Sequence, residues 1–505
     1  MTKKETNVVK YIFFAVSALI LLMLASRSSF LYTFNNWDDA NSYFSVGKGI
    51  FNGKMPYRDI FDQKGMYLYF LYGIAYLISH TTFLGVYVLE AVLGFIDIYF
   101  FYKIIKIYAS DIMAVALAPV TYGVIVCSRS FWWGGAAEEI CMPFLVIGLY
   151  LFTAYFENDY REKVMPLGTV FAGGILAGLI ANTKFTMLGF YFAWMMMVFF
   201  AYLSHKDIAG GIKGCFVFLF GMFVPFVPLI IYFGVQNGLY EWYWGYVYVN
   251  VFVYPTVTED PVSLYGRVYN LAKLLYNLML DNKVYFALVV PGIIYTLVKK
   301  EKKIMARLSI AILFGFLFLG IFGGGRSLPY YSLPLGIFAV FGAALLGAWG
   351  DLLIKKISDE KKGTFAAAFS ILCLALSIVI VYVNSMNISF MSEDDSYFMY
   401  RFRDEVLQED NPTLLNVGCL DAGLYTLCDI VPSCRWFQTQ TLNIEEDENN
   451  PYKEQERYVR EGLVDFVLVR DTIPLSINDH YDLIDQADYS YSGYDFKYYL
   501  YKKVR

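Results

Sequence analysis

The chain has 505 residues, of which 58% are hydrophobic and 19% aromatic, while only 17% are charged. A soluble domain of ordinary composition carries about 25% charged residues, so this composition excludes a soluble globular enzyme. The formal net charge is −5, and the sequence contains no Lys/Arg-rich recognition segment, which together exclude a nucleic-acid partner. The sequence predicts a protein that is embedded in a lipid bilayer.

Twelve apolar runs follow one another along the chain, and several are long enough to cross a bilayer, which takes roughly 20 residues. They lie near residues 8–31, 66–79, 83–102, 112–127, 140–156, 165–181, 187–203, 214–233, 284–298, 305–322, 330–349 and 364–384. The first run is too long for a signal peptide and lacks a small-residue cleavage site, so we expect a retained helix. The runs predict an all-α polytopic membrane bundle.

The Lys and Arg clusters between these runs indicate which loops are cytoplasmic. Every cluster falls on the cytoplasmic side only if the run at 66–79, the shortest of the twelve, does not cross the membrane. A run of about 14 residues suits an interfacial helix better than a crossing. We therefore expect about eleven transmembrane helices plus an interfacial helix, in a multi-pass protein of the plasma membrane with a cytoplasmic N-terminus.

Residues 386–505 differ in character from the transmembrane domain of residues 1–385. Short apolar runs at 414–419 and 465–470 predict buried strands, and an amphipathic helix is predicted between them at 454–463. This order predicts a small α/β domain, which the loop count places outside the cell. Whether a disulfide forms in this domain stays open for its three cysteines, Cys419, Cys428 and Cys434.

The first outer loop, predicted at residues 33–65, carries more than its share of charge. Two interpretations apply to Asp38 and Asp39: a solvated turn that caps a helix, or carboxylates that act as a general base, orient an acceptor or hold a metal. A second acidic pair, Glu138 and Glu139, lies in the next outer loop and starts the following helix. Two acidic pairs on successive outer loops favour the functional interpretation.

Three cations are predicted on the same outer side of the membrane: Lys64, Lys184 and Arg326. Each has a structural interpretation, in which the side chain extends along the bilayer surface to the lipid headgroups. The alternative is a phosphate bound near the outer leaflet. Because cations are disfavoured on this side, their presence favours the phosphate.

Two acidic residues, Glu90 and Asp97, fall inside an apolar run and are seven residues apart, so they share a helix face. Such groups normally face the interior of the bundle or a cavity. The sequence leaves open whether they line a polar part of a site or pair with another helix.

Several segments of the chain resemble the bacterial GT-C membrane glycosyltransferases of the family 39 type, which include protein O-mannosyltransferases and the lipid A aminoarabinose transferase. The similar segments are an aspartate after the first span followed by NSYFSVGKGIFNGKMPYRDIFDQKG, then GGAAEE, IANTKFTMLGFYFAW, GGGRSLPYYSLPL and LLNVGCLDAGLYTLCDIVP. The resemblance covers most of the chain, and its first-loop pattern is the most specific part.

The resemblance implies a transferase that uses a polyprenyl-phosphate-linked sugar as donor and a hydroxyl of a cell-envelope glycan, lipid or protein as acceptor. Such enzymes invert the sugar's configuration, with a first-loop aspartate as the base. Asp39 holds the better register for this role, and Asp38 is the alternate. No cofactor is implied with certainty, although paired carboxylates are compatible with a bound Mg²⁺ or Mn²⁺ ion.

The resemblance also assigns roles to the remaining candidates. Lys64 matches a lysine that contacts the lipid phosphate, and Lys184 and Arg326 are further phosphate contacts. Glu138 or Glu139 matches an acid that positions the acceptor. The first loop supplies three more candidates, Tyr57, Arg58 and Asp62.

Two other functions fit an outer surface that binds phosphate. A transporter or flippase of lipid-linked sugars would use the same cations but would need no carboxylate base. It would also be expected to have paired broken helices, which the sequence does not indicate. An envelope-glycan polymerase would be expected to have paired arginine-rich outer loops, which are absent from the sequence.

Overall fold

The computed structural model describes residues 3–254, 264–299, 302–392, 397–442, 444, 449–491 and 494–504. Among these residues, seven helices are long and apolar enough to cross a membrane, and the number rises to nine if each of two bent helix pairs forms one span. The seven spans are Asn7–Ala25, Leu84–Tyr108, Ala137–Asp159, Phe185–Ser204, Ile304–Phe322, Pro329–Ile354 and Lys361–Asn384. The chain is a multi-pass helical membrane protein.

Each of the twelve predicted apolar runs lies on a helix. In chain order the helices are α1 (Lys3–Ala25), α2 (Asp38–Phe51), α3 (Met66–Ile78), α4 (Leu84–Tyr108), α5 (Asp111–Val126), α6 (Ala137–Ala154), α7 (Leu167–Ala181), α8 (Leu188–Ser204), α9 (Ile208–Phe223), α10 (Phe226–Val235), α11 (Leu239–Trp242), α12 (Leu264–Asp281), α13 (Lys283–Leu297), α14 (Ile304–Phe322), α15 (Ala339–Ile354), α16 (Asp359–Asn384), α17 (Phe398–Val406), α18 (Leu424–Leu427) and α19 (Pro451–Arg460).

The predicted number of about eleven crossings depends on the shorter apolar helices. Helices α5 and α7 have 16 and 15 residues, and α3 has 13. A straight crossing takes roughly 20 residues. The short length of α3 agrees with the expectation of an interfacial helix, and the total of eleven stays a prediction.

The structure has two bent helix pairs, whereas the sequence indicates no paired broken helices. Helices α9 and α10 meet at an angle of 42°, and the segment Tyr265–Asp281 meets α13 at 117°. Pro225 lies between α9 and α10, and proline ends or bends a helix because it lacks a backbone N–H and its ring clashes with the preceding turn. A proline within an apolar run therefore bends what the hydropathy alone presents as one span.

The chain forms two compact units. Unit 1 comprises Met1–Ser29, Tyr87–Pro228 and Asp260–Ser389, and unit 2 comprises Phe30–Val86, Leu229–Glu259 and Phe390–Arg505. Unit 1 holds most of the long apolar helices. Unit 2 holds α2 and α3 from the region after the first span, together with the C-terminal domain.

Small residues bring the helices of unit 1 close together. A Cβ added to Gly174 of α7 would lie 2.2 Å from the carbonyl oxygen of Phe218, and one added to Gly221 of α9 would lie 2.4 Å from that of Phe171. Neither helix tolerates a side chain at these contacts. Close backbone approach through glycine is typical of helix packing in membranes, where apolar side chains gain little by leaving lipid for protein.

Close backbone contact through glycine also joins α2 to α3 in unit 2. A Cβ on Gly47 would lie 2.5 Å from the backbone nitrogen of Gly73, and one on Gly73 would lie 2.8 Å from the carbonyl oxygen of Gly47. These two glycines let the two helix backbones touch. The contact fixes the position of the residues that α2 and the start of α3 present to the rest of unit 2.

The C-terminal part of unit 2 is an α/β domain, as predicted. Four strands, β1 (Leu414–Val417), β2 (Phe466–Arg470), β3 (Tyr481–Tyr491) and β4 (Tyr494–Lys503), form one sheet in the order β1-β2-β4-β3. The pair β1–β2 is parallel, and the pairs β2–β4 and β4–β3 are antiparallel. All seven cysteines of the chain are free thiols, so Cys419, Cys428 and Cys434 form no disulfide bond in this domain.

Candidate active site

The two first-loop aspartates lie in the first turn of α2. The helix begins at Asp38, and Trp37 occupies the N-cap position with an extended backbone and no side-chain capping bond. The interpretation of an aspartate as the helix cap is therefore wrong, because both aspartates already lie inside the helix. Carboxylates in the first turn are favoured by the positive end of the helix dipole.

Asp38 forms an ion pair with a residue from the far end of the chain. The Nη1 atom of Arg470, the last residue of β2, donates a hydrogen bond of 2.8 Å to Oδ2 of Asp38. Burial raises the pKa of the Asp38 carboxyl, and the nearby Arg470 guanidinium opposes that rise. This pair ties the start of α2 to the sheet within unit 2.

Asp39 and Lys64 lie beside Tyr43, and Asp62 interacts with both of these charged residues; we name the four residues the first-loop cluster. The Tyr43 hydroxyl, one helical turn after Asp39, donates a hydrogen bond of 3.1 Å to its Oδ2 atom. The Lys64 ammonium lies 5.7 Å from the centre of the Tyr43 ring. Two of the predicted first-loop carboxylates and the predicted phosphate-binding lysine therefore share one region of unit 2.

The charges of Asp39, Asp62 and Lys64 also act on one another electrostatically. Burial raises the pKa of Asp62, the Lys64 ammonium opposes this rise, and the Asp39 carboxylate reinforces it. Asp62 also accepts a hydrogen bond of 2.8 Å from the hydroxyl of Tyr69 on α3. The cluster thus combines two acids and one cation, held in place by two tyrosine hydroxyls.

Tyr57 and Arg58 differ in their relation to the cluster. Tyr57 is fully buried with a φ of 69°, and its hydroxyl donates a hydrogen bond of 2.7 Å to the backbone oxygen of Lys64. Tyr57 therefore positions the backbone that carries this lysine. Arg58 is exposed and pairs with Asp59 at 2.9 Å, so its contacts lie away from the cluster.

A second buried polar group connects α2 to the C-terminal domain of unit 2. The fully buried Lys48 ammonium donates a hydrogen bond of 2.7 Å to the backbone oxygen of Tyr425, and burial lowers the pKa of Lys48 to about 8. Asp421 accepts a hydrogen bond of 2.6 Å from the hydroxyl of Ser45. Burial raises the pKa of Asp421 to about 6. These groups anchor the helix that presents Asp39.

In unit 1, the predicted acceptor-positioning acid Glu138 and the predicted cation Lys184 form a buried ion pair. The ammonium of Lys184 donates a hydrogen bond to Oε1 of Glu138. The side chains retain only 2% exposure for the acid and 11% for the lysine. The ammonium also lies 3.9 Å from the ring centre of Tyr331 and 5.5 Å from that of Tyr330, where the ring faces stabilise the cation.

Glu139 points into a different environment. Its Oε2 atom accepts a hydrogen bond of 2.8 Å from the backbone N–H of Gly135, and its carboxyl contacts that of Glu90 on α4. Glu90 in turn accepts a bond of 2.7 Å from the hydroxyl of Ser26. Glu90 thus pairs with other segments of unit 1, while Asp97 is 2% exposed and its Oδ1 atom has no hydrogen-bond partner among the described residues.

The last predicted cation, Arg326, lies in the segment between α14 and α15. It is half-buried and follows Gly325, whose φ of +86° lies in the left-handed region that favours glycine. Over the described ranges, no group of three or more His, Cys, Asp and Glu side chains is arranged to hold a metal ion. The involvement of a divalent cation stays a prediction.

Several residues of these sites were not among the sequence candidates, and Tyr43, Arg470 and Tyr331 are the ones that contact a candidate charge most directly. The contact of Tyr43 with Asp39 could have been predicted from the sequence, because residues four apart on a helix lie on the same face. Arg470 also had a signal, since it is the only cation in a buried strand and ends that strand. Tyr331 lies inside the GGGRSLPYYSLPL segment, but only the tertiary structure shows that Lys184 is its partner.

The fold is of the GT-C type, and the predicted fold class is confirmed. In particular, the chain is similar to two crystal structures of ArnT from Cupriavidus metallidurans. The structure bound to undecaprenyl phosphate gives a TM-score of 0.60 at 12% identity and covers 97% of each chain. The apo structure gives 0.61 at 12% identity and covers 99% of each chain.

The archaeal oligosaccharyltransferase AglB from Archaeoglobus fulgidus, in complex with an inhibitory peptide and a dolichol-phosphate, gives a lower TM-score of 0.47. It is 15% identical, over 98% of this chain and 74% of that chain. No protein-family model and no curated protein matches the sequence.

Proposed function

We propose that this protein transfers a sugar from a polyprenyl-phosphate donor to a hydroxyl of a cell-envelope acceptor on the outer face of the membrane. The single observation that carries the proposal is the first-loop cluster, which places a half-buried carboxylate and a lysine ammonium in one region of unit 2. The fold shared with ArnT, one of whose structures contains undecaprenyl phosphate, supports a lipid-linked donor.

The chemistry follows from what a sugar phosphate needs. The phosphate is a stabilised leaving group, so the protein must supply a base for the acceptor hydroxyl and cations for the departing phosphate. Asp39 accepts the proton of the acceptor hydroxyl while the hydroxyl oxygen forms a bond to the anomeric carbon of the sugar. The bond from that carbon to the phosphate oxygen breaks, and the polyprenyl phosphate leaves with the electron pair. One displacement of this kind inverts the sugar's configuration.

The roles of the other candidates are assigned on the same basis. Lys64 neutralises the departing phosphate, while the phosphate roles of Arg326 and Lys184 stay predictions of the resemblance. The acceptor-positioning role of Glu138 stays a prediction of the resemblance; within unit 1 its Oε1 atom is held by Lys184, and its Oε2 atom has no hydrogen-bond partner among the described residues. Asp38 is less suited than Asp39 to be the base, because its carboxylate is ion-paired with the Arg470 guanidinium, whereas the hydrogen bond of Asp39 comes from the neutral hydroxyl of Tyr43.

The experiment compares three aspartate variants of the full-length protein. Mass spectrometry of envelope glycans and lipids, with and without the protein, first identifies the product. Transfer is then measured with the matching undecaprenyl-phosphate sugar. We expect Asp39→Asn to lower the rate by roughly 10²–10⁴, the usual contribution of a general base, while donor binding persists.

Asp38→Asn is the test of the alternate base, and we expect it to lower the rate far less than Asp39→Asn. Asp59→Asn is the matched control, because Asp59 lies in the same segment but pairs with the exposed Arg58. A wild-type rate for Asp39→Asn would refute the base assignment. Movement of lipid-linked sugar across the membrane without any transfer would favour the second candidate, a transporter, for which the two bent helix pairs are the supporting observation.

A further inference from the structure

A cavity of about 480 Å³ opens in unit 2 beside the sheet. It lies at the carboxyl ends of the parallel strands β1 and β2, where Gly418 and Arg470 line it, and Asp38 contributes from α2. In open α/β sheets, ligands bind in the crevice outside the carboxyl ends of the strands. The cavity therefore lies where such a sheet binds ligands, and of its lining residues only Asp38, the alternate base, enters the transfer chemistry described above.

The wall of the cavity is built from fixed groups. Gly418 has a φ of +78°, and a Cβ there would lie 2.2 Å from the carbonyl oxygen of Arg470, so only glycine fits. Gln455 of α19 is 2% exposed, and its Nε2 atom donates to the backbone oxygens of Asn416 at 2.8 Å and Trp436 at 2.9 Å. A rigid polar wall needs no reordering when a ligand binds, which favours affinity.

The charges of the cavity select the kind of ligand. Among the described residues that line it, Asp38 and Glu456 are carboxylates and Arg470 is the one cation, which is bound to Asp38. The excess of negative charge disfavours phosphorylated or carboxylated ligands. The thiol of Cys419 also lines the cavity, but burial raises its pKa to about 12, so it stays protonated and is not a nucleophile.

An aromatic ring completes the site. Tyr452 lines the cavity and is 53% exposed, so its ring is open to a ligand. The carboxylates, and the hydroxyls of Thr441 and Thr472, which also line the cavity, offer hydrogen bonds to a ligand that carries several hydroxyl groups. An apolar ring face with a few convergent polar groups suits a compact polar ligand with one apolar side, such as a pyranose.

We propose that this cavity binds a neutral sugar unit of the acceptor, an inference that rests on the proposed function. Asp38 reaches the cavity, and its chain neighbour Asp39 is the proposed base. A sugar held at the carboxyl edge of β1 and β2 therefore lies near the turn of α2 that carries the base. The cavity is a binding subsite, and its residues are not assigned to the chemical step.

The test is saturation-transfer NMR on the full-length protein in lipid nanodiscs, without donor. The probes are the methyl glycosides of glucose, mannose, galactose and N-acetylglucosamine, with glucose 6-phosphate and glucuronate as anionic counterparts. We expect at least one neutral glycoside to bind, and its anionic counterpart to bind at least tenfold more weakly. Tyr452→Ala should weaken the binding of the neutral glycoside at least fivefold, while Tyr452→Phe should bind it as well as the wild type does.

Tyr494→Ala is the matched control, because Tyr494 is a 68% exposed tyrosine of the same domain and does not line the cavity. The proposal is overturned if no neutral glycoside binds, if Tyr452→Ala binds as well as wild type, or if the anionic probes bind more tightly. Since no donor is present, this result is independent of the proposed function. Transfer without glycoside binding would remove only the cavity proposal. Binding without transfer would remove the transferase and would leave the cavity as a site for a neutral sugar that is not an acceptor.

Discussion

Units 1 and 2 each carry two adjacent carboxylates in the first turn of a helix, and the two environments differ. In both, one carboxylate is bound to a cation from elsewhere in the chain, Asp38 to Arg470 and Glu138 to Lys184. The second carboxylate distinguishes them. Asp39 is half-buried in a cluster with a lysine, whereas Glu139 is 3% exposed and bonded to its own turn.

The comparison teaches that one sequence pattern serves two physical purposes. A carboxylate that retains access to solvent and lies in one cluster with a cation can exchange a proton and meet a substrate. A carboxylate that is sealed among backbone N–H groups and other acids contributes to the local structure instead. Adjacent acids after an outer loop therefore indicate a site only when the surrounding packing leaves one of them accessible.

The largest effect is expected from breaking the closed ion pair of unit 1. Glu138→Gln leaves the Lys184 ammonium buried without its counter-charge, and removal of one partner of a buried pair costs roughly 3–5 kcal/mol. We expect a clear fall in the thermal unfolding midpoint of the full-length protein in detergent, followed by tryptophan fluorescence. The double variant Glu138→Gln/Lys184→Met should recover most of the loss, because it removes both charges.

The control for this pair is Arg129→Gln, which removes an exposed ion pair with Asp281 in the same unit. Exposed pairs contribute roughly 0–1 kcal/mol, so its midpoint should stay close to that of wild type. If the double variant were as unstable as Glu138→Gln alone, the loss of stability would not come from the unpaired Lys184 charge. The proposed contrast between the ion pair of unit 1 and the first-loop cluster of unit 2 would then be unsupported.

A pH effect is expected from Asp421, the most buried acid that anchors α2. Its pKa is about 6 in the folded protein against about 3.9 in an unfolded chain, and two pKa units correspond to about 3 kcal/mol. Between these values the folded state binds a proton that the unfolded state does not. The free energy of unfolding attributable to this group therefore falls as pH rises from about 4 to 6 and is constant above.

We expect Asp421→Asn to flatten this part of the pH profile, measured as thermal midpoints at pH 4.5, 5.5 and 6.5. Asp410→Asn, at an exposed position of the same domain, should leave the profile unchanged. An unaltered slope in Asp421→Asn would assign the effect to other groups and would leave the anchoring of α2 without support.

The smallest change is expected from Lys64→Ala in the open cluster of unit 2. Loss of a charged hydrogen bond to the donor phosphate costs roughly 1.5–3 kcal/mol, which corresponds to about a 10- to 100-fold weaker donor affinity, with acceptor affinity unchanged. The measurement is the binding affinity of the full-length protein for an undecaprenyl-phosphate sugar. Lys54→Ala is the matched control in the same segment, and equal donor affinity for Lys64→Ala and wild type would contradict the phosphate role.

Local physics allowed parts of the fold and the site to be predicted. Apolar runs must form helices in a bilayer, because every backbone N–H and C=O must be paired there, and each run lies on a helix. The strands β1 and β2 were predicted within two residues at each end. Helix α12 was not predicted, because its amphipathic pattern gives no continuous apolar run.

The sequence by itself determined the membrane bundle, the α/β domain and the residues that carry charge beside the first span. The tertiary structure alone decided the partners: Arg470 for Asp38, Lys184 for Glu138, and Lys64 in the region of Asp39. The physical reason is the range of the interactions. Burial and backbone pairing act on each segment by itself, whereas an ion pair between residues far apart in the chain forms only when the packing of helices and strands brings them within a few ångströms.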